Sequence, residues 1–403
     1  MDISLQRKID RIIGSFICRV FSLFPKRKIK QSNTIRPNKI LVIILSEMGS
    51  LLLAKPMFDY IQERYPHASI YVMLFKKNRE FLEILNIVPD SNIFTVDSDS
   101  IINLLLDSSR IISRIRREMI DTVIDCELFS RISSIYSFLS CASIRVGFHP
   151  YTQEGLFRGN FINHPVLYNP YHHISQQFLT LAKAIESEQF PKAKYSLEKR
   201  DINIPFFKPG QEETAVLWQR LTGDFPHISD KNFALIYPSG GLLPIRAWPL
   251  ENFCIVANDL IRQGYVVAII GMKEDKKLAD VILDYCRNKD CIDLTGYTKS
   301  VRELMILFHH ASLLITNDGG PGHFASMTPV PTIILYGPET PTLYGPLDKK
   351  TFQCYSSLSC SPCLTAYNHR NSPCDGDNLC LKSISPKDVL GKAYEFLEQK
   401  IHP

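Results

Sequence analysis

Along most of this chain, short runs of consecutive apolar residues alternate with segments whose apolar positions recur every three or four residues. The first kind predicts strands buried on both faces of a parallel sheet, the second predicts helices covering that sheet. Strands are expected at 39–45, 69–75, 92–96 and 121–126, with helices at 51–65, 78–85 and 101–119 between them. After Arg145-Val146-Gly147-Phe148 the period disappears, and 149–173 is rich in His, Tyr, Asn and Gly, the composition of a loop that contacts substrate. A helix at 173–187 and a Pro/Lys-rich stretch to Gly210 close this series, and 214–222 reads as a linking helix. The alternation then restarts, with strands at 232–237, 265–270, 291–294, 312–315 and 332–336. Helices are expected at 250–263, 276–287, 301–310 and 385–400. Strand–helix alternation repeated twice predicts an α/β fold of two doubly wound domains, with ligands at the carboxyl ends of the strands. The expected division is 1–38, 39–210 and 211–403.

Residues 4–24 place Leu5, Ile9, Ile12, Ile13, Phe16, Ile17, Val20 and Phe21 at helical spacing, with Arg7, Lys8, Arg11 and Arg19 largely between them. The longest charge-free stretch, 12–18, is far short of the roughly 20 residues a spanning helix needs. Two readings remain open. One is a basic amphipathic helix lying on an anionic membrane, and the other is a helix packed on the protein's own body. Charge sharpens the first. The net charge is +5, yet residues 1–39 carry ten Lys/Arg against Asp2 and Asp10, so the remainder is slightly acidic. A basic terminus on a near-neutral body argues for a local anionic surface and against a nucleic-acid partner. With no cleavable secretory signal read at the start, the expected location is cytoplasmic, peripheral on the inner face of the membrane.

Candidate chemistry centres on 314–326. A buried strand ends at Asn317-Asp318, three glycines follow within four positions, and Pro321 and His323 open a helix. Glycines let a backbone approach phosphate, and the helix start offers free N–H groups. Asp318 is placed to accept from a sugar hydroxyl and His323 to donate to phosphate. Two further turns follow strands of the same domain, Ser239-Gly240-Gly241 and Gly271, and Arg246 brings a permanent charge with a fork of donors suited to a diphosphate. In the first domain Glu47 and Ser50 lie on the turn after the first strand. A carboxylate there suits a general base. Walker and GxGxxG patterns are absent, which weakens nucleotidase and dehydrogenase readings. Among eleven cysteines, Cys360, Cys363, Cys374 and Cys380 are spaced so that four thiolates would take a structural zinc, with free thiols as the alternative.

The motifs Gly49-Ser50-Leu51-Leu52-Leu53-Ala54-Lys55-Pro56, Tyr65-Pro66, Arg145-Val146-Gly147, Arg246-Ala247-Trp248-Pro249, Asn317 to Ala325 and Tyr336-Gly337-Pro338 resemble those of glycosyltransferase family 9, the bacterial heptosyltransferase-like enzymes. The resemblance spans 39 to about 395. It implies a GT-B fold of two Rossmann-like domains facing across a cleft, and inverting, metal-independent transfer from a nucleotide sugar, usually an ADP-sugar. The implied acceptor is a lipopolysaccharide core or lipid-linked glycan. Ser239, Gly240, Arg246, Glu274, Asp318, Gly319, Gly320 and His323 fall on the donor side of the family pattern. Gly49, Ser50, Arg145 and His149 are the acceptor-side expectations. The family usually has Asp where this chain has Ser50, and Lys where it has Arg246. Glu47 is then the nearest base, with Glu127, Asp125 and His149 behind it. Two other readings stay open: an inactive sugar-nucleotide-binding or assembly protein, since the family's Asp is missing, and a GT-B epimerase of nucleotide sugars, which would need acidic residues of both domains facing one sugar.

Overall fold

The computed structural model describes residues 3–24, 36–45, 47–128, 130–148, 157–188, 191–196, 203–365 and 371–401. It divides into two compact units, Met1–Asn203 and Ile204–Thr365 with Asn371–Pro403. Phe207, ahead of the division expected after 210, already belongs to the second unit. Its N–H donates to the Met327 carbonyl at 2.8 Å and its ring is buried.

The first unit holds β1 (Lys39–Ile43), β2 (Ser69–Phe75), β3 (Ile93–Val96), β4 (Thr122–Asp125), β5 (Ile144–Phe148) and β6 (His164–Val166). They form one parallel sheet in the order β3-β2-β1-β4-β5-β6. Its helices are α1 (Ile3–Ile9), α2 (Ser15–Phe21), α3 (Met48–Leu53), α4 (Lys55–Arg64), α5 (Arg79–Leu85), α6 (Ile101–Arg117), α7 (Arg131–Leu139) and α8 (Ile174–Lys183). The helix expected over 51–65 is two helices that break at Ala54. Pro56 stands in the first turn of α4, where its missing N–H costs nothing. β6 lies inside the stretch read as irregular. Pro165 hides it from a strand reading, and an edge strand tolerates proline.

The second unit holds β7 (Phe233–Tyr237), β8 (Val266–Gly271), β9 (Cys291–Thr295), β10 (Leu313–Asn317), β11 (Thr332–Tyr336) and β12 (Thr351–Tyr355), in the order β12-β11-β10-β7-β8-β9. Around them lie α9 (Gln211–Asp224), α10 (Leu250–Arg262), α11 (Lys276–Cys286), α12 (Val301–His310), α13 (Gly320–Ala325), α14 (Pro341–Tyr344), α15 (Leu379–Lys382) and α16 (Pro386–Ile401). β12 was not expected, because Thr-Phe-Gln-Cys-Tyr is a half-polar edge strand without a continuous apolar run. Counted from its own first strand, each sheet has the order 3-2-1-4-5-6, so each reverses direction between its first and fourth strands. Such reversal points leave a crevice at the strand ends, where open α/β sheets bind ligands. Here they lie between β1 and β4, and between β7 and β10.

The helical segment at the amino end is packed on its own unit along one face. α1 and α2 are joined by a π-helical turn, Asp10–Gly14. Asp10 accepts the N–H groups of Arg131 and Ile132 at 2.8 and 3.1 Å, capping α7 from outside, and pairs with the Arg131 guanidinium at 3.2 Å. Gly14 stands at the closest approach, where a Cβ would lie 3.1 Å from Arg131 Cβ and push the two elements slightly apart. Cys18 is fully buried and Phe21 stacks on Phe138 at 4.7 Å. No helix among the described residues is long and apolar enough to cross a membrane.

Candidate active site

In the second unit, strand register sets the site. Thr316 pairs with Tyr237 and Asn317 with Leu335, so the residues following β7, β10 and β11 emerge side by side. Asn317 ties them together. It is fully buried, donates to the carbonyls of Pro238 and Ser239 at 2.9 and 3.2 Å, and accepts the Trp248 N–H at 2.9 Å. That last bond fixes the segment carrying Arg246. Trp248 is itself anchored by donating to the Ile384 carbonyl at 3.0 Å and packing edge-on against Phe253. Gly240 is obligatory in its turn, since a Cβ would meet the Leu243 carbonyl oxygen at 2.7 Å, and Gly241 has φ +59°. The Ser239 hydroxyl accepts the Gly241 N–H at 3.1 Å.

Arg246 reaches into this corner. Its Nη1 lies 3.7 Å from Asp318 Oδ2 and its Nη2 lies 3.3 Å from Glu339 Oε1. Both carboxylates are buried, while the arginine side chain keeps 15% of its surface exposed. Charge-assisted hydrogen bonds close to about 2.7–2.9 Å, so both contacts are loose. Arg246 Nε and Asp318 Oδ2 have no hydrogen-bond partner among the described residues although both atoms are buried. Unsatisfied buried polar atoms are costly, and a cluster of them facing a strand-end crevice is the mark of a ligand site. Tyr336, beneath the pair, is held protonated by burial, with Asp318 and Glu339 adding to the effect. Gly319 caps the start of α13, which carries Gly320 and the buried His323. Gly322 is packed so closely that a Cβ would lie 2.4 Å from Ile334 Cδ1. Glu274 is exposed on the turn after β8, at the same end of the sheet. Its neighbour Asp275 accepts the Met272 N–H.

In the first unit Glu47 takes the N-cap position of α3 in an extended conformation, directly after β1. Gly49 and Ser50 form the first turn, and the Ser50 hydroxyl donates to Glu47 Oε2 at 3.3 Å. Across the reversal point, Glu127 follows β4 and accepts the Leu45 N–H at 2.6 Å. Burial pushes its carboxyl up to about 7, with the charges of Asp125 and Glu47 adding to the shift. Asp125 is fully buried and committed. It pairs with Arg158 at 2.5 Å and accepts from Ser133, Ser134 and the Glu127 N–H. Arg145 is not brought to this cluster. It sits in the amino half of β5, and its guanidinium donates to the Phe161 and Ala142 carbonyls. His149 lies outside the described residues.

The four cysteines differ in their immediate contacts, although Cys363 and Cys360 lie near enough to Cys380 to help push its thiol up, behind the larger effect of burial. Cys363 Sγ is 3.1 Å from the Ser372 hydroxyl, Cys374 faces Asp375 and Asn378, Cys380 is buried under Gly337, and Cys360 is exposed. No three His, Cys, Asp or Glu side chains among the described residues are grouped to hold a metal. Reading by sequence passed over Glu339 and used Asn317 only as a strand end. Glu339 had a signal, since it follows β11 as Asp318 follows β10.

Two six-stranded parallel sheets, each reversing at a crevice lined by polar residues, define the GT-B class of fold. The chain belongs to glycosyltransferase family 9 (heptosyltransferase), whose family model matches residues 109–372. It is 24% identical over 206 residues to lipopolysaccharide heptosyltransferase 2 of Salmonella typhimurium, a match spanning 50% of this chain and 57% of that protein's length. Against lipooligosaccharide heptosyltransferase 2 of Haemophilus ducreyi it is 23% identical over 317 residues, 77% of this chain and 87% of the relative. The structure of E. coli ADP-heptose lps heptosyltransferase II superposes with a TM-score of 0.70 at 21% identity, covering 90% of this chain and 99% of the other.

Proposed function

We propose that this protein transfers a heptose or related sugar from an ADP-sugar to a lipopolysaccharide-core or similar lipid-linked acceptor, with inversion and without a catalytic metal. The observation that carries the reading is Arg246, held loosely between two buried carboxylates with buried donor and acceptor atoms left over. The sugar and acceptor class come from the heptosyltransferases that this chain resembles.

In this mechanism the donor diphosphate takes the Arg246 donors that Asp318 and Glu339 hold only weakly. The arginine's permanent charge faces the negative charge that grows on the leaving diphosphate. Asp318, released from Arg246, accepts from a donor hydroxyl, and the Ser239-Gly240 turn offers backbone N–H groups to phosphate. Glu47 takes the proton from the acceptor hydroxyl as its oxygen attacks the anomeric carbon opposite the diphosphate. The carbon–oxygen bond to the diphosphate breaks, and ADP leaves with the bonding pair. Glu127 beside it, half-ionised near neutral pH, sets the local charge. A lipid-anchored acceptor places the enzyme at the inner membrane face.

The test is Arg246→Ala. Losing a charge-assisted contact to a diphosphate in a desolvated corner costs roughly 2–4 kcal/mol, about 30- to 1,000-fold in kcat/KM for an ADP-sugar. Unchanged turnover would remove the donor site from this corner.

A further inference from the structure

Among the described residues of the first unit, fifteen large apolar side chains are exposed, and eleven of them lie on just two stretches, Leu5–Phe24 and Ile101–Leu106. The rest of this unit hides its apolar surface normally, so the concentration calls for an occupant.

The two stretches are neighbours. α7 is largely buried, with α6 fastened along one side and the α1–α2 segment along the other. Ser108 and Tyr136 share a hydrogen bond of 2.6 Å, and Arg116 Nε donates to the Leu139 carbonyl at 2.9 Å. On the other flank stand the Asp10 contacts to Arg131 and the Phe21–Phe138 stack. Gln6 reaches the Ser98 carbonyl at 3.5 Å, just ahead of α6, which joins the two flanks at their starts. The inward faces are spent on the core, through Gly14 and Cys18 on one side and Ile111 and Ile115 on the other. The outward faces carry Ile12 (69% exposed), Phe16 (67%), Leu23 (84%), Ile102 (70%) and Leu105 (65%).

Charge selects the occupant. Arg7, Lys8, Arg11 and Arg19 are exposed among the apolar residues of the first stretch. Asp10 is the sole acid between residues 3 and 24, and it is turned inward to Arg131. The outward face of α6 continues from Leu106 through Ser109 and Ser113 to an open groove of about 620 Å³ lined by Arg116, Arg117 and Leu139. The first half of α6 brings no cation of its own and is flanked by Asp97, Asp99 and Asp107, of which Asp97 pairs with Lys76 and Asp107 with Arg110. The positive charge therefore comes from the α1–α2 segment and the Arg116/Arg117 groove, and apolar side chains projecting beside those cations suit an anionic bilayer. The apolar groups enter the acyl boundary and the cations meet phosphates.

We infer that the α1–α2 segment and the first half of α6 form one composite footprint for an anionic lipid surface, with the Arg116/Arg117 groove facing the headgroups. This deepens the reading of a membrane-anchored acceptor by assigning it a surface, and it places α6, not only the basic amino end, on the membrane.

The experiment is flotation of the full-length protein with phosphatidylcholine vesicles, with and without phosphatidylglycerol. It compares wild type with Ile12→Ser/Phe16→Ser/Leu23→Ser and with Ile102→Ser/Leu105→Ser/Leu106→Ser. These side chains are half or more exposed, so the unfolding midpoint should hold in both variants. Wild type should float with the anionic vesicles and release as salt rises. Each triple variant should lower partitioning about tenfold or more, since each removes several buried methylenes. Full flotation of the α6 variant would overturn the composite footprint, and so would a wild-type dimer that becomes monomeric in both variants, which would make a second copy the occupant. ADP-induced thermal stabilisation should be the same in all three proteins. Its loss in wild type would instead indict the donor site.

Discussion

An arginine whose nearest carboxylates stand at 3.3 and 3.7 Å is oriented but not saturated, and that difference decides what substitution should do. Arg246→Lys keeps the charge and loses the fork, so kcat/KM should fall much less than in Arg246→Ala, by about tenfold. Steady-state kinetics on the two variants separates charge from geometry. Glu47→Gln preserves shape and removes basicity. Turnover should drop about 10²–10⁴-fold with ADP affinity kept, and near-normal turnover would shift the role to Glu127. Glu127 offers a pH test of its own. Its folded carboxyl sits at about 7, above the usual carboxylate value, because burial favours the neutral form. Between those values the folded state holds a proton that the unfolded state has released, so Glu127's contribution is present at acid pH and lost as pH rises through 7. Glu127→Gln keeps an oxygen for the Leu45 N–H and carries no charge. Chemical denaturation should therefore show a flatter stability profile between pH 5 and about 7.5, with the variant gaining on wild type at the alkaline end. An unchanged slope would mean that Glu127 titrates normally. Asp318, Ser239 and Arg246 were legible in the sequence because each follows a strand or a glycine turn. Glu339 carried the same kind of signal, a place shortly after β11, but its pairing with Arg246 was not legible, because only the strand order brings the two together.

At the scale of elements, the corner proposed to take the donor depends on one side chain. Asn317 bonds the β7 turn to the Arg246 segment through three hydrogen bonds, all buried. Asn317→Ala leaves two carbonyls and one N–H without partners and should cost about 3 kcal/mol of stability, measured by the denaturant midpoint. A loss under about 1 kcal/mol would mean that the turns hold themselves. The amino-terminal helix shows where pattern reading reaches its limit. Its apolar periodicity left two readings open, and the structure shows an inward face packed on α7 beside an outward apolar face. Periodicity reports that a helix has apolar positions, not how many sides they serve. Gly14 and Asp10, which fix the packed face, act through contacts with Arg131 that no local pattern encodes. β6 and β12 escaped for a different reason: edge strands need no continuous apolar run, and one contains a proline.

For the whole molecule, the two doubly wound sheets were readable because a strand buried on both faces must be a continuous apolar run, and each helix must cover one face. β1, β2, β7, β8, β10 and β11 all show that burial. Strand order then fixed where polar residues gather, at the reversal points of both sheets. The central claim is that these two crevices serve a sugar transfer from an ADP-linked donor. The direct measurement is ADP release and acceptor mass when the full-length protein is incubated with ADP-heptose and heptose-deficient lipopolysaccharide core. The account predicts stoichiometric ADP and an acceptor heavier by one heptose, both nearly abolished in Arg246→Ala. It would be contradicted if wild type neither binds nor consumes ADP-heptose, or if Arg246→Ala releases ADP as fast as wild type.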